Sequence, residues 1–125
     1  MRDIENRDDL LSLMKAFYSK MMKDDKIGYI FTDVAKLNLK HHLSMLTDFW
    51  NNALFHVGGY KSNVVQIHKD LNEKELLTPE HFKQWLFLLG KTIDENFSGE
   101  VSEKMKLRAS QVGMTMQAKL GHYNV

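Results

Sequence analysis

The sequence contains no cysteine. That excludes disulfides, thiolate metal sites and a cysteine nucleophile, and it is compatible with a reducing compartment. Proline occurs once, so little interrupts long helices, and eight methionines, which favour helix, point the same way. There is no long run of like charges, and the formal net charge is +1. Such a chain has no field strong enough to gather nucleic acid or an anionic membrane. The longest stretch free of charged residues, Phe49 to Tyr60, is too short and too polar to span a bilayer. The opening residues, Met1 to Asp9, are polar and carry no apolar signal core. Together these absences lead us to expect a cytoplasmic protein.

What remains is a chain of 125 residues, 43% hydrophobic and 26% charged. That composition predicts one folded domain spanning residues 1–125. Helical periodicity dominates it. Leu10, Leu13, Met14, Phe17 and Met21 recur three or four residues apart and predict a helix over 9–23, with Asp8 or Asp9 as its cap and Tyr18 beside the apolar stripe. Residues 27–31 read as a tight turn that carries Phe31 inward. Leu39, His42, Leu46, Phe49, Trp50 and Ala53 predict a second helix over about 38–55, with His42 on its apolar face.

Gly58-Gly59 permits a sharp reversal. Residues 63–70 read as a helical turn on which His68 emerges from an apolar surface between Val64 and Leu71, followed by a charged loop to residue 77. Thr78-Pro79-Glu80 is a helix start by cap, first-turn proline and dipole. Phe82, Trp85, Leu86, Leu89, Ile93 and Phe97 continue it as a stripe. Ser98-Gly99 then stops it. Met105, Ala109, Val112 and Met116 mark a last helix over about 101–120, with Gly121 as its C-terminal cap. The expected fold class is all-α.

Several chemistries find no support. No two histidines stand four apart to hold zinc on one helix face. Acidic residues sit mainly in loops and on outer faces, which disfavours paired-carboxylate hydrolysis. Gly58-Gly59 follows a helix, not a strand, and makes no phosphate loop. A haem reading uses more of the residues. Haem needs an axial ligand, commonly histidine, and an apolar slot. His68 can be that ligand, and Tyr18, His42 and Trp85 place polar atoms on or next to the inward stripes of three separate helices. Each also has a plain reading as a core residue, which leaves a non-haem helical interaction module as an alternative. That module would be colourless.

Here the residues resemble a family. Phe17-Tyr18, Asp25 to Phe31, His42 with Phe49-Trp50, Ile67-His68, and His81-Phe82 with Trp85-Leu86 look like the pattern of truncated haemoglobins, group III in particular. The matching pieces span about residues 10 to 115, nearly the whole chain. A lone Gly28 near the first turn, in place of a second Gly-Gly pair, agrees with that branch. The resemblance implies a shortened globin, two helix pairs stacked as a 2-on-2 sandwich around haem b. It implies His68 as proximal iron ligand to a five-coordinate iron. Tyr18 and Trp85 would donate hydrogen bonds to the bound ligand, and His42 would be the distal histidine. Phe31, Phe49, Trp50 and Phe82 would wall the cofactor.

The function implied is reversible binding of dioxygen, nitric oxide or carbon monoxide, as in oxygen transport. The alternative on the same scaffold is an enzyme, a nitric oxide dioxygenase or a peroxidase-like activity, fed by an unidentified reductase. No nucleic acid or membrane partner is expected.

Overall fold

The computed structural model describes residues 1–30, 39–56 and 78–119. Phe31, the Gly58-Gly59 reversal, the His68 turn, the charged loop to residue 77 and the Gly121 cap lie outside the described residues. Within them there are four helices and no strand: α1 (Arg7–Met22), α2 (Leu39–Phe55), α3 (Pro79–Asn96) and α4 (Glu100–Lys119). Arg7 of α1 pairs with Asp48 at 2.8 Å, and Tyr18, further along, meets His42, so α1 and α2 run antiparallel. Lys106 pairs with Asp94 at 2.8 Å while Gly113 packs against Leu86, so α3 and α4 are antiparallel too. The two pairs stack, with α1 across α3 and α2 touching α4.

The core is built where the stripes predict it in α1. Leu10, Leu13, Met14, Phe17 and Met21 are all 1% exposed or less. Each such side chain contributes about 1.5–3 kcal/mol over remaining in water, so this stripe fixes which way α1 faces. Met105, Ala109 and Met116 do the same for α4. In α2 the buried line is one residue round from the expected one: Leu43, Thr47, Trp50 and Leu54 go inside, while His42, Leu46, Phe49 and Ala53 are partly covered. Thr47 is admitted because its Oγ1 donates to the Leu43 carbonyl at 2.6 Å, which satisfies the hydroxyl inside the helix. Thr92 does likewise against Leu88 in α3, at 2.7 Å.

Helix ends show one correction and one extension. The N-cap of α1 is Asn6, whose Oδ1 accepts from the Asp9 N–H at 2.9 Å; Asp8 and Asp9 fall in the first turn. The Asp9 carboxylate is drawn elsewhere, to Arg2, whose guanidinium forks onto its two oxygens at 2.6 Å each. Thr78 caps α3 as expected, and His81 completes a reciprocal box: Thr78 Oγ1 accepts from the His81 N–H, and His81 Nδ1 accepts from the Thr78 N–H at 3.1 Å.

The start of α4 is closed from a distance. Asp3 accepts from the Val101 N–H at 2.7 Å, the Ser102 N–H at 2.9 Å and the Ser102 hydroxyl at 2.7 Å. Gly99 makes room for this. Its φ is +147°, and a Cβ there would lie 2.5 Å from the Asp3 carboxyl carbon. Gly28 is equally constrained, because a Cβ would meet the Met22 carbonyl oxygen at 2.8 Å. The short turn it belongs to buries Ile27 and Ile30 and leaves Tyr29 outside.

Candidate functional site

The site begins at Tyr18. Helical spacing puts it next to the α1 core stripe, and it is 4% exposed. Its Oη lies 2.7 Å from Nε2 of His42 on α2, with the two rings edge-on, centroids 4.9 Å apart. Burial pushes the Tyr18 phenol above its usual range, so the hydroxyl keeps its proton and stays a donor. His42 is partly buried, at the margin of the apolar stripe, where a polar ring can meet both Tyr18 and the outside.

Trp85 reaches the same region from α3 through Phe17. The Phe17 ring is edge-on to Tyr18 at 5.4 Å and to Trp85 at 6.3 Å, so one buried phenylalanine spaces two residues from different helices. On its other side, Trp85 has Gly113 of α4, where a Cβ would stand 3.8 Å from Cζ3 of the indole. The indole N–H makes no hydrogen bond among the described residues. A partly buried tryptophan normally finds an acceptor, so this donor is the one polar group of the cluster without a described use.

Phe49 and Trp50 stand two turns beyond His42 on α2, edge-on to each other at 5.2 Å. Trp50 is 3% exposed and belongs to the core, and Phe49 is only partly covered. Phe82 is buried at 7% exposed near the start of α3. The structure thus brings Tyr18, His42 and Trp85 into one aromatic cluster, while Trp50 and Phe82 belong to the hydrophobic core and Phe49 packs against it. Phe31 and His68 lie outside the described residues. Among the described residues no group of histidines, cysteines and carboxylates is arranged to hold a metal ion, and no helix is long and apolar enough to cross a membrane.

Three contributors were missed by pattern reading. Phe17 looked like an ordinary stripe residue, yet it spaces Tyr18 from Trp85. Gly113 borders the indole, but a Cβ there would meet Leu86 and Trp85 only at ordinary contact distance, so the packing leaves room for alanine. His81 serves the α3 cap. Its Nδ1 is an acceptor there, so in the neutral ring Nε2 carries the hydrogen, and it lies 3.3 Å from the Tyr29 hydroxyl.

No family model matches the chain. A curated protein of Campylobacter jejuni described as a group 3 truncated hemoglobin is 26% identical over 121 residues, covering 94% of this chain and 93% of its own. The crystal structure of a group III truncated hemoglobin from Campylobacter jejuni superposes with a TM-score of 0.85 at 25% identity, over 100% of this chain and 99% of that one. The chain has the fold of a truncated globin. Its likeness to the group III branch runs the whole length of the sequence. Within this fold the polar cluster of Tyr18, His42 and Trp85 joins α1, α2 and α3 across the sandwich.

Proposed function

We propose that this truncated globin binds haem b through His68 and holds a diatomic ligand, dioxygen foremost, on the side of Tyr18 and Trp85. The observation that carries the reading is the cluster itself. A buried, protonated Tyr18 hydroxyl and an indole N–H with no described acceptor are spaced by the ring of Phe17 within a truncated-globin fold. The residues fit a large flat apolar group in a second respect. Leu46, Phe49 and Ala53 of α2, with Trp85 and Leu86 of α3, are apolar yet only partly covered by the protein.

In this reading Phe31, Phe49, Trp50 and Phe82 wall the cofactor, and His68 is its single protein ligand, which makes the iron five-coordinate. When bound, haem supplies an iron with one open position for a small ligand. The chain's own residues do the rest. Tyr18 and Trp85 offer hydrogen bonds in a region shielded from water, each worth roughly 1–3 kcal/mol toward a ligand that carries negative charge. His42 holds the Tyr18 hydroxyl in place and stands at the margin as a gate. A cytoplasmic setting and, for any turnover chemistry such as nitric oxide dioxygenation, a separate reductase complete the proposal.

The test is an optical spectrum of the purified protein beside His68→Ala, with and without dithionite and carbon monoxide. We expect a Soret band that shifts with carbon monoxide and is lost or strongly altered in the variant. A colourless wild type that also fails to take up added hemin would overturn the reading.

A further inference from the structure

Away from the cluster, the outer side of α3 carries a second pattern. Lys83, Phe87, Gly90 and Asp94 are spaced four, three and four residues apart, the spacing of a helix–helix seam. All four face away from the core. Phe87 is 60% exposed, Lys83 and Asp94 are exposed, and a Cβ on Gly90 would meet nothing within 4 Å. A large exposed phenylalanine one turn from an open glycine is a knob beside a notch.

The neighbouring helix extends this surface. Leu86 of α3 meets Gly113 of α4, so their chain neighbours Phe87 and Met114 stand at one level, and Met114 is 58% exposed. Leu107, two turns earlier on α4, is 61% exposed. Three of the exposed large apolar residues therefore lie on this helix pair, more than scattered surface residues require.

We infer that this face joins two copies of the chain, with α3 packed antiparallel to α3 of the second copy about a two-fold axis. The occupant follows from charge and shape. Reading Lys83-Phe87-Gly90-Asp94 against itself in reverse sets Lys83 opposite Asp94, Phe87 opposite Gly90, and the same two pairs again on the other side of the axis. Such a contact is isologous, as a two-fold demands. Lys83 makes no ion pair among the described residues, and Asp94, though it pairs with Lys106, keeps 65% of its side chain exposed and can take a second cation. The register that stacks Phe87 on Phe87 instead brings Lys83 against Lys91 and Glu80 against Asp94, like on like, and is disfavoured. The pattern thus selects one register and one partner, a second copy. The contact is of the small kind that forms weakly.

Sedimentation velocity of the full chain, over a concentration series up to about 1 mM, tests this. The expected result is a concentration-dependent dimer. Phe87→Lys and Lys83→Glu should each raise its dissociation constant at least tenfold, and Lys83→Glu combined with Asp94→Lys should restore it to within a few-fold of wild type. All of these side chains are exposed, and helical circular dichroism verifies that each variant is folded. A wild type that stays monomeric throughout the series would overturn the inference. So would a dimer indifferent to Phe87→Lys, or a double variant no better than Lys83→Glu alone.

Discussion

Tyr18 Oη and His42 Nε2, on antiparallel helices, lie 2.7 Å apart with their rings edge-on. This bond ties the most buried member of the cluster to a partly buried one. If the proposed function holds, Tyr18→Phe raises the dioxygen off-rate by about 5- to 150-fold, the equivalent of about 1–3 kcal/mol. Stopped-flow displacement of dioxygen by carbon monoxide measures it. An unchanged rate would remove Tyr18 from the ligand's surroundings.

Trp85→Phe keeps an aromatic ring on the Phe17 side, gives up the outer ring carbons near Gly113 and deletes the indole N–H. Its effect on the off-rate should lie in the same range, about 5- to 150-fold. Stability should change little, because the N–H has no acceptor among the described residues. Loss of ligand retention without loss of melting temperature is the expected signature.

Asp3 anchors α4, so Asp3→Ala should cost about 1–2 kcal/mol in urea unfolding, as removal of an N-cap does. The same anchor predicts acid sensitivity. Burial alone would raise the Asp3 carboxyl, but hydrogen bonds from Ser102, Val101 and Ile4 outweigh it and hold the group below its usual value. Arg2 holds Asp9 down to about 2. A carboxyl whose folded value is depressed adds stability above its unfolded value, near 4, and loses it as pH falls through the folded one. Stability should therefore decline from about pH 4 toward pH 2. Asp9→Asn should flatten that decline in an acid titration followed by circular dichroism.

The α3 capping box gives a graded prediction. His81→Gln retains a side-chain acceptor at the favoured position and should leave stability within about 0.5 kcal/mol. His81→Leu leaves the Thr78 N–H without its acceptor and should cost about 1 kcal/mol by chemical denaturation.

Two glycines should respond in opposite directions. Gly113→Ala places a methyl at ordinary contact distance from Leu86 and Trp85 and removes helix glycine, so it should stabilise by about 0.5–1 kcal/mol. Gly28→Ala drives a methyl into the Met22 carbonyl and should destabilise. Thermal unfolding of the two variants side by side decides both.

How far the sequence could be read depends on the distance over which each interaction acts. The α1 stripe from Leu10 to Met21 is legible because an amphipathic helix repeats its burial every turn. The α2 face was read one residue off because Thr47 counts as polar, and only its bond to the Leu43 carbonyl makes it a core residue. Asp9 looks like a cap in any local window. Its commitment to Arg2 depends on how the first residues fold back. Tyr18, His42 and Trp85 showed up as polar atoms near inward stripes, but spacing within one helix cannot say that three helices bring them together. The resemblance to truncated haemoglobins supplied that link, and Phe17 and Gly113 emerged only from packing.

The cap on α4 has a consequence for the living cell. Asp3 and Ser102 are separated by 99 positions. On the ribosome the carboxylate is made before α1, α2 and α3, and the amides it serves emerge only after them. Until then the first residues have no partner at that end, and the final helix, once synthesised, begins uncapped. Their meeting is a non-local contact of the kind that slows folding. It marks the moment at which the segment before α1 and the start of α4 come under one constraint.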